Sequence, residues 1–178
     1  MAIKDLVSIA LLAATIAALG FLPPVPIGII PVPITAQTLG VLLAGALLGA
    51  KRGFYAVAIF WILIAAGLPL LPGGHGGFSV FYGPTGGYIV GFGFGAWLTG
   101  LFYSKFYTSL TPLKEISCLI VGSIGIHIPG VLWLSYAAHI SIYHAILGDL
   151  VFIPGDSIKI AITFFIARLI RKTLHIKY

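Results

Sequence analysis

Residues 34–68 read ITAQTLGVLLAGALLGAKRGFYAVAIFWILIAAGL, two apolar runs interrupted once, by Lys51 and Arg52. Each run, Ile34–Ala50 and Gly53–Leu68, approaches the roughly 20 apolar residues that carry a helix across a bilayer. A basic pair between such runs marks a membrane interface, where cations remain in the headgroup region while the flanking helices enter hydrocarbon. Pro69 ends the second run, because proline has no N–H to continue a helix. The stretch therefore predicts two membrane-spanning helices joined at a charged turn.

Outward from this pair the pattern repeats. Ile3–Leu22 is apolar throughout and stops at Pro23-Pro24. It is too long for the core of a signal peptide and reads as the first span, so no cleavable leader is expected. Further spans are expected at Gly86–Tyr103, Glu115–Leu134 and Gly155–Ile170, with a kink near Pro129-Gly130. The connections are a proline-spaced stretch, Val25–Pro33, expected to be extended, a glycine-rich loop, Gly73–Thr85, and a polar link, Lys105–Lys114. Ser135–Gly155 is half apolar and holds His139, His144 and Asp149; loop, interfacial helix and continuation of the fifth span all fit it. The expected architecture is all-α, an integral membrane protein whose residues 1–178 form one domain of six transmembrane helices.

Composition agrees. Hydrophobic residues make up 60% of the chain and charged residues 8%, with a mean hydropathy of +1.13. A soluble domain carries about 25% charged residues, so this surface faces lipid. The formal net charge is +6, but the basic residues sit at the ends of apolar runs rather than in a patch with aromatic neighbours, so a nucleic-acid partner is not expected. With six spans, Lys4, Lys51, Arg52, Lys105, Lys114, Arg168, Arg171, Lys172 and Lys177 all fall on one side. The positive-inside rule makes that side the cytoplasm, with both termini there. Cys118, the single cysteine, reads as a small core residue.

Lys159 is the basic residue that escapes this segregation, and it lies inside the last run. An ammonium there costs about 3 kcal/mol on insertion scales and needs compensation. Asp156, three residues earlier, shares its helical face. The pair is either a structural ion pair or a polar ligand site about one turn inside the external end, where an ammonium suits a ligand carboxylate and a carboxylate accepts from ligand N–H groups. The Gly73–Thr85 loop contains bulky Phe78, Phe81 and Tyr82 in a segment expected to be exposed. A lid with aromatics turned over a ligand accounts for both the glycines and the rings. Ala10, Ala14 and Ala18 form a small-residue face on the first span where another helix can approach closely. The histidines have no metal-binding spacing, no metal or cofactor is expected, and no Gly-x-Ser-x-Gly or phosphate-cradling loop occurs. A membrane-embedded enzyme or a purely structural subunit are the rival readings to a ligand-binding transport subunit.

Four stretches, Pro33-Ile34-Thr35-Ala36-Gln37-Thr38, Gly73–Gly77, Gly83-Pro84-Thr85-Gly86-Gly87-Tyr88 and Pro154-Gly155-Asp156-x-x-Lys159, resemble the BioY family in wording and order. The resemblance covers essentially the whole chain. That family comprises the biotin-specific substrate-binding subunits, or S components, of energy-coupling factor (ECF) transporters. The resemblance implies a non-enzymatic protein of a prokaryotic plasma membrane that captures biotin at the outer side. It also implies a transmembrane coupling subunit and a pair of cytoplasmic ATPases as partners, with the Ala10, Ala14 and Ala18 face meeting the coupling subunit. The substrate-binding residues it implies are Asp156, Lys159, Gln37, Tyr88, Phe78, Gly76 and Gly77. Lys159 meets either the ligand carboxylate or the ureido oxygen, Asp156 accepts from a ureido N–H or orients Lys159, Gln37 and Tyr88 hydrogen-bond, and Phe78 forms apolar wall. His75 has no assigned role.

The charge segregation is tested by cysteine labelling with a membrane-impermeant reagent. A cysteine replacing Lys51 should react only from the cytoplasmic side, and one replacing Gly74 only from outside; the reverse pattern refutes the topology.

Overall fold

The structure, a computed structural model, describes residues 2–26 and 28–174. Lys177 lies outside the described residues. These form α-helices α1 (Ile3–Leu19), α2 (Gln37–Ala65), α3 (Gly86–Lys105), α4 (Pro112–Ala137), α5 (Ile142–Asp149) and α6 (Ile153–Leu174), with short 3₁₀ turns at Phe78–Phe81, Tyr107–Ser109 and Leu150–Phe152. Among the described residues there is no β-strand, only isolated bridges pairing Val25 with Ile34 and Leu71 with His75.

α2 is two helical arms in succession, joined at a kink. A straight helix of its 29 residues would be roughly 40 Å long. Yet Gln37, its first residue, donates from Nε2 to the carbonyl of Leu70, beyond its last, at 3.0 Å. The chain doubles back at Gly49, whose φ of 77° and ψ of 178° are non-helical and fall in a region open essentially to glycine alone. A Cβ on Gly53 would lie 3.0 Å from the Gly45 Cα, which puts the two arms, 37–48 and 50–65, in contact across the turn. The sequence places this turn at Lys51-Arg52; it falls slightly earlier because Gly49 supplies the conformation. Arg52 at the tip then pairs with Asp5 on the first turn of α1 at 2.5 Å.

Other boundaries shift for local reasons. α1 ends at Leu19 rather than Leu22 because Gly20 passes close to the chain at Leu70 and Gln37; a Cβ there would be 2.8 Å from the Gln37 amide nitrogen. α2 starts at Gln37 rather than Ile34 because Ile34 exchanges backbone hydrogen bonds with Val25 at 3.0 and 2.9 Å. α4 is capped by Thr111, whose side chain accepts from Lys114 N, with Pro112 in the first turn. It continues through Pro129 to Ala137 as a single helix. The ambiguous stretch after it becomes α5, eight residues long and too short to cross a bilayer.

Small residues let the helices nest. A Cβ at Gly45 would meet Thr99 Cβ at 2.7 Å on α3, and one at Gly91 would meet Ile126 Cα at 3.0 Å on α4. α3 is therefore packed between α2 and α4 at near-backbone distance. The outward faces stay apolar: Leu11, Ile62, Leu132, Phe165 and Leu169 are all exposed. By length and composition, Pro112–Ala137 is long and apolar enough to cross a membrane as one helix; Gln37–Ala65, folded back at Gly49, and Ile142–Thr173, made of α5, the 150–152 turn and α6, meet the same measure as continuous stretches.

The two ends differ in chemistry. One gathers Asp5–Arg52 and a Glu115–Arg171 pair at 2.6 Å, with the Arg171 guanidinium 4.7 Å from the centre of the Tyr103 ring. The opposite end holds the 20–26, 28–36 and 67–85 segments, α5 and the first turn of α6.

The Gly49 turn has a mechanical consequence. Gly49→Ala should lower stability by about 1–3 kcal/mol, seen as a reduced thermal midpoint of the detergent-solubilised protein. An unchanged midpoint would mean that the two arms do not depend on this conformation.

Candidate ligand-binding site

At the end remote from Arg52 and Arg171 the helices enclose a cavity of about 550 Å³, within the range of small-molecule sites. Its walls are mainly apolar. Pro31 and Val32 come from the segment after α1, Leu71 from just before the glycine-rich loop and Val80 from within it, and Phe92 and Phe152 from α3 and the turn before α6. The loop is anchored by Trp133 on α4, which donates from Nε1 to the Gly83 carbonyl at 2.8 Å.

One wall is polar. Lys159 and Asp156, adjacent on the first turns of α6, form an ion pair at 2.6 Å; each residue is only 9% exposed. The Lys159 ammonium also donates to Thr38 Oγ1 at 2.9 Å. The other oxygen of Asp156 is 2.6 Å from His127 Nε2, and His127 Nδ1 is 2.7 Å from Asp149 Oδ1. Asp149 also accepts from the Tyr88 hydroxyl at 2.8 Å. A single hydrogen-bonded chain thus runs Tyr88–Asp149–His127–Asp156–Lys159–Thr38, joining α3, α5, α4, α6 and α2. Two of the three ammonium donors of Lys159 are placed by these contacts, and the third is available to a ligand.

The seven residues named from sequence separate into two groups. Asp156, Lys159, Gln37 and Tyr88 line the cavity. Gln37 is 1% exposed and spends both amide protons on the carbonyls of Ile16 and Leu70, at 3.2 and 3.0 Å. Its remaining polar group is its amide oxygen. Phe78, Gly76 and Gly77 are not brought to the wall. Phe78 is 62% exposed and meets the Phe81 ring at a tilt and the Tyr82 ring edge-on, while Val80 takes the inward position. Gly76 passes against the Leu68 backbone, and Gly77, at φ 90°, donates to the Ile64 carbonyl at 2.7 Å. His75 does border the cavity. Ala10, Ala14 and Ala18 form an exposed stripe on α1, while Ala13 and Ala17 face the core.

Three members of the polar chain, His127, Asp149 and Thr38, are not among the site residues named from sequence. In the sequence His127 is one of five histidines without metal-binding spacing, and Asp149 falls in the half-apolar stretch Ser135–Gly155 that fits loop and helix alike. The signal that picks out Lys159, an ionisable group inside an apolar run, applies equally to His127 within Glu115–Leu134.

The four sequence stretches that carried the resemblance converge here. Pro33, Thr35, Gln37 and Thr38, then Gly73 and His75, then Gly83 to Thr85 with Tyr88, and finally Asp156 and Lys159 all border the one cavity. The BioY family profile matches residues 1–176. This chain belongs to the BioY family. Among curated relatives, the biotin transporter BioY of Rhizobium etli is 42% identical over 174 residues, covering 94% of this chain and 93% of that one. The biotin transporter BioY of Lactococcus lactis subsp. cremoris is 43% identical over 173 residues, covering 96% and 92%. Among solved structures, the S-component for biotin from an ECF-type ABC transporter superposes with a TM-score of 0.91 at 42% identity, covering 96% of this chain and 92% of that chain.

Proposed function

We propose that this chain is the biotin-binding S component of an ECF-type vitamin uptake transporter. It captures biotin from the outer side of a prokaryotic plasma membrane and is not an enzyme. The observation that carries this reading is the cavity: an apolar chamber with one polar wall built on Asp156 and Lys159, bordered by all four BioY-like stretches. Biotin has matching chemistry. Its thiophane ring and valerate chain are apolar, its ureido group has two N–H donors and an acceptor, and its carboxylate seeks a cation.

In this reading the membrane topology is six spans with both termini cytoplasmic. Support comes from the two arms of α2, which turn α1–α6 into six crossings with α5 as a surface element, and from the basic residues gathered at the end opposite the cavity. The chain has no phosphate-cradling loop for ATP, so a coupling subunit and a pair of cytoplasmic ATPases supply the energy. The exposed Ala10, Ala14 and Ala18 stripe is a surface on which a coupling helix can lie close. Lys159, Asp156, Gln37 and Tyr88 contact the ligand directly, and the Gly76-Gly77-Phe78 segment acts as a lid over the mouth.

Lys159→Met tests the assignment. Asp156 retains its His127 contact, so the variant should insert and fold, less stably than the wild type because one buried negative charge is left unmatched, although methionine is less costly in lipid than an ammonium. Biotin affinity should fall roughly ten- to hundredfold, the loss of one charge-assisted hydrogen bond of about 1.5–3 kcal/mol. A folded variant with unchanged affinity would remove Lys159 from the site and leave it as a structural partner of Asp156.

A further inference from the structure

We propose that His127 is a positioning residue of this site: a doubly protonated imidazolium that bridges Asp149 and Asp156 and holds the polar wall electrically neutral, so that an anionic ligand can enter. The inference rests on the biotin reading for its ligand, and on geometry for the state of the ring.

The geometry is a count of donors. His127 Nδ1 is 2.7 Å from Asp149 Oδ1 and Nε2 is 2.6 Å from Asp156 Oδ2. An ionised carboxylate oxygen only accepts, and a neutral imidazole carries one N–H. Two such contacts therefore require either both ring protons or a protonated carboxyl. The surroundings favour ionised carboxylates on both sides. Asp156 has the Lys159 ammonium 2.6 Å from its other oxygen, and the Asp149 oxygen that faces the ring also accepts from the Tyr88 hydroxyl at 2.8 Å. The protons accordingly sit on His127.

The charge count follows. Asp149 and Asp156 contribute two negative charges, and His127 and Lys159 two positive ones. The groups facing the ring come from every packed element: Tyr88 from α3, Asp149 from α5, Phe152 from the turn after it, and Asp156 from α6. The His127 side chain is 18% exposed, so little solvent screens the balance. A neutral His127 leaves the wall with a net charge of minus one against a ligand carboxylate. It also leaves one of the two carboxylates, Asp149 or Asp156, facing a ring nitrogen without a proton.

Two measurements test this. In ¹⁵N-histidine NMR of the unliganded protein, a variant with His75, His139, His144 and His175 replaced by glutamine leaves His127 as its only imidazole. Both its nitrogens should be protonated at neutral pH; one protonated and one bare nitrogen would overturn the proposal. In binding, His127→Gln should weaken biotin roughly ten- to thirtyfold, the scale of one uncompensated charge. It should weaken biotinamide, which lacks the carboxylate charge, far less. The same ratio should decline in the wild type as pH rises through the imidazolium's titration, and stay flat in the variant. Equal losses for both ligands would make His127 a mere structural tie and refute the role. If His127→Gln does not fold, the NMR state and the wild-type pH profile still decide. A wild type that binds neither ligand would sink the biotin reading itself, while the NMR result would stand apart from it.

Discussion

An ammonium inside an apolar helix is costly, and the structure is arranged around relieving that cost at Lys159. Hydrocarbon offers no water to a charge, so a lysine at this depth needs partners from the protein. Asp156 supplies the counter-charge at 2.6 Å and Thr38 accepts a second hydrogen bond at 2.9 Å. Asp156 is itself a charge in need of donors, and His127 and then Asp149 and Tyr88 extend the requirement across the bundle. Five helices are drawn to one point by a sequence of obligations that starts from one cation. Removing one partner from such a set is more damaging than replacing all of them, because it leaves a buried charge unmatched.

The fold around that point is set by small residues. Gly49 turns α2 back on itself, and glycines on α2 and α3 bring neighbouring backbones together. Close packing of this kind suits a bundle whose outer surface gains nothing by association in lipid, since van der Waals contact and hydrogen bonds must hold the helices instead. Gln37 shows the second device. Both of its amide protons are committed to carbonyls on α1 and beyond the end of α2, so it fixes three segments at the cavity floor and still presents an oxygen to the interior.

Much of this is legible in the sequence, for identifiable reasons. Apolar run length and the positions of Lys51 and Arg52 locate the helices, because lipid constrains both locally. The Asp156–Lys159 contact follows from helical spacing alone. What spacing does not reveal is which distant side chains meet. His127 reaches Asp149 and Asp156 across 22 and 29 residues, and Lys159 reaches Thr38 across 121. Those contacts are products of helix packing, with no trace in local period. The orientation of Phe78 is lost for a related reason: in a short 3₁₀ turn, neighbouring residues point to different sides, and Val80 rather than Phe78 turns inward.

The central claim is that this chain, by itself, forms a biotin site at the polar wall of its cavity. Calorimetric titration of the purified protein with biotin, in detergent and without partner subunits, tests it most directly. The account predicts saturable binding of one biotin per chain. A folded protein that gives no saturable binding would contradict it.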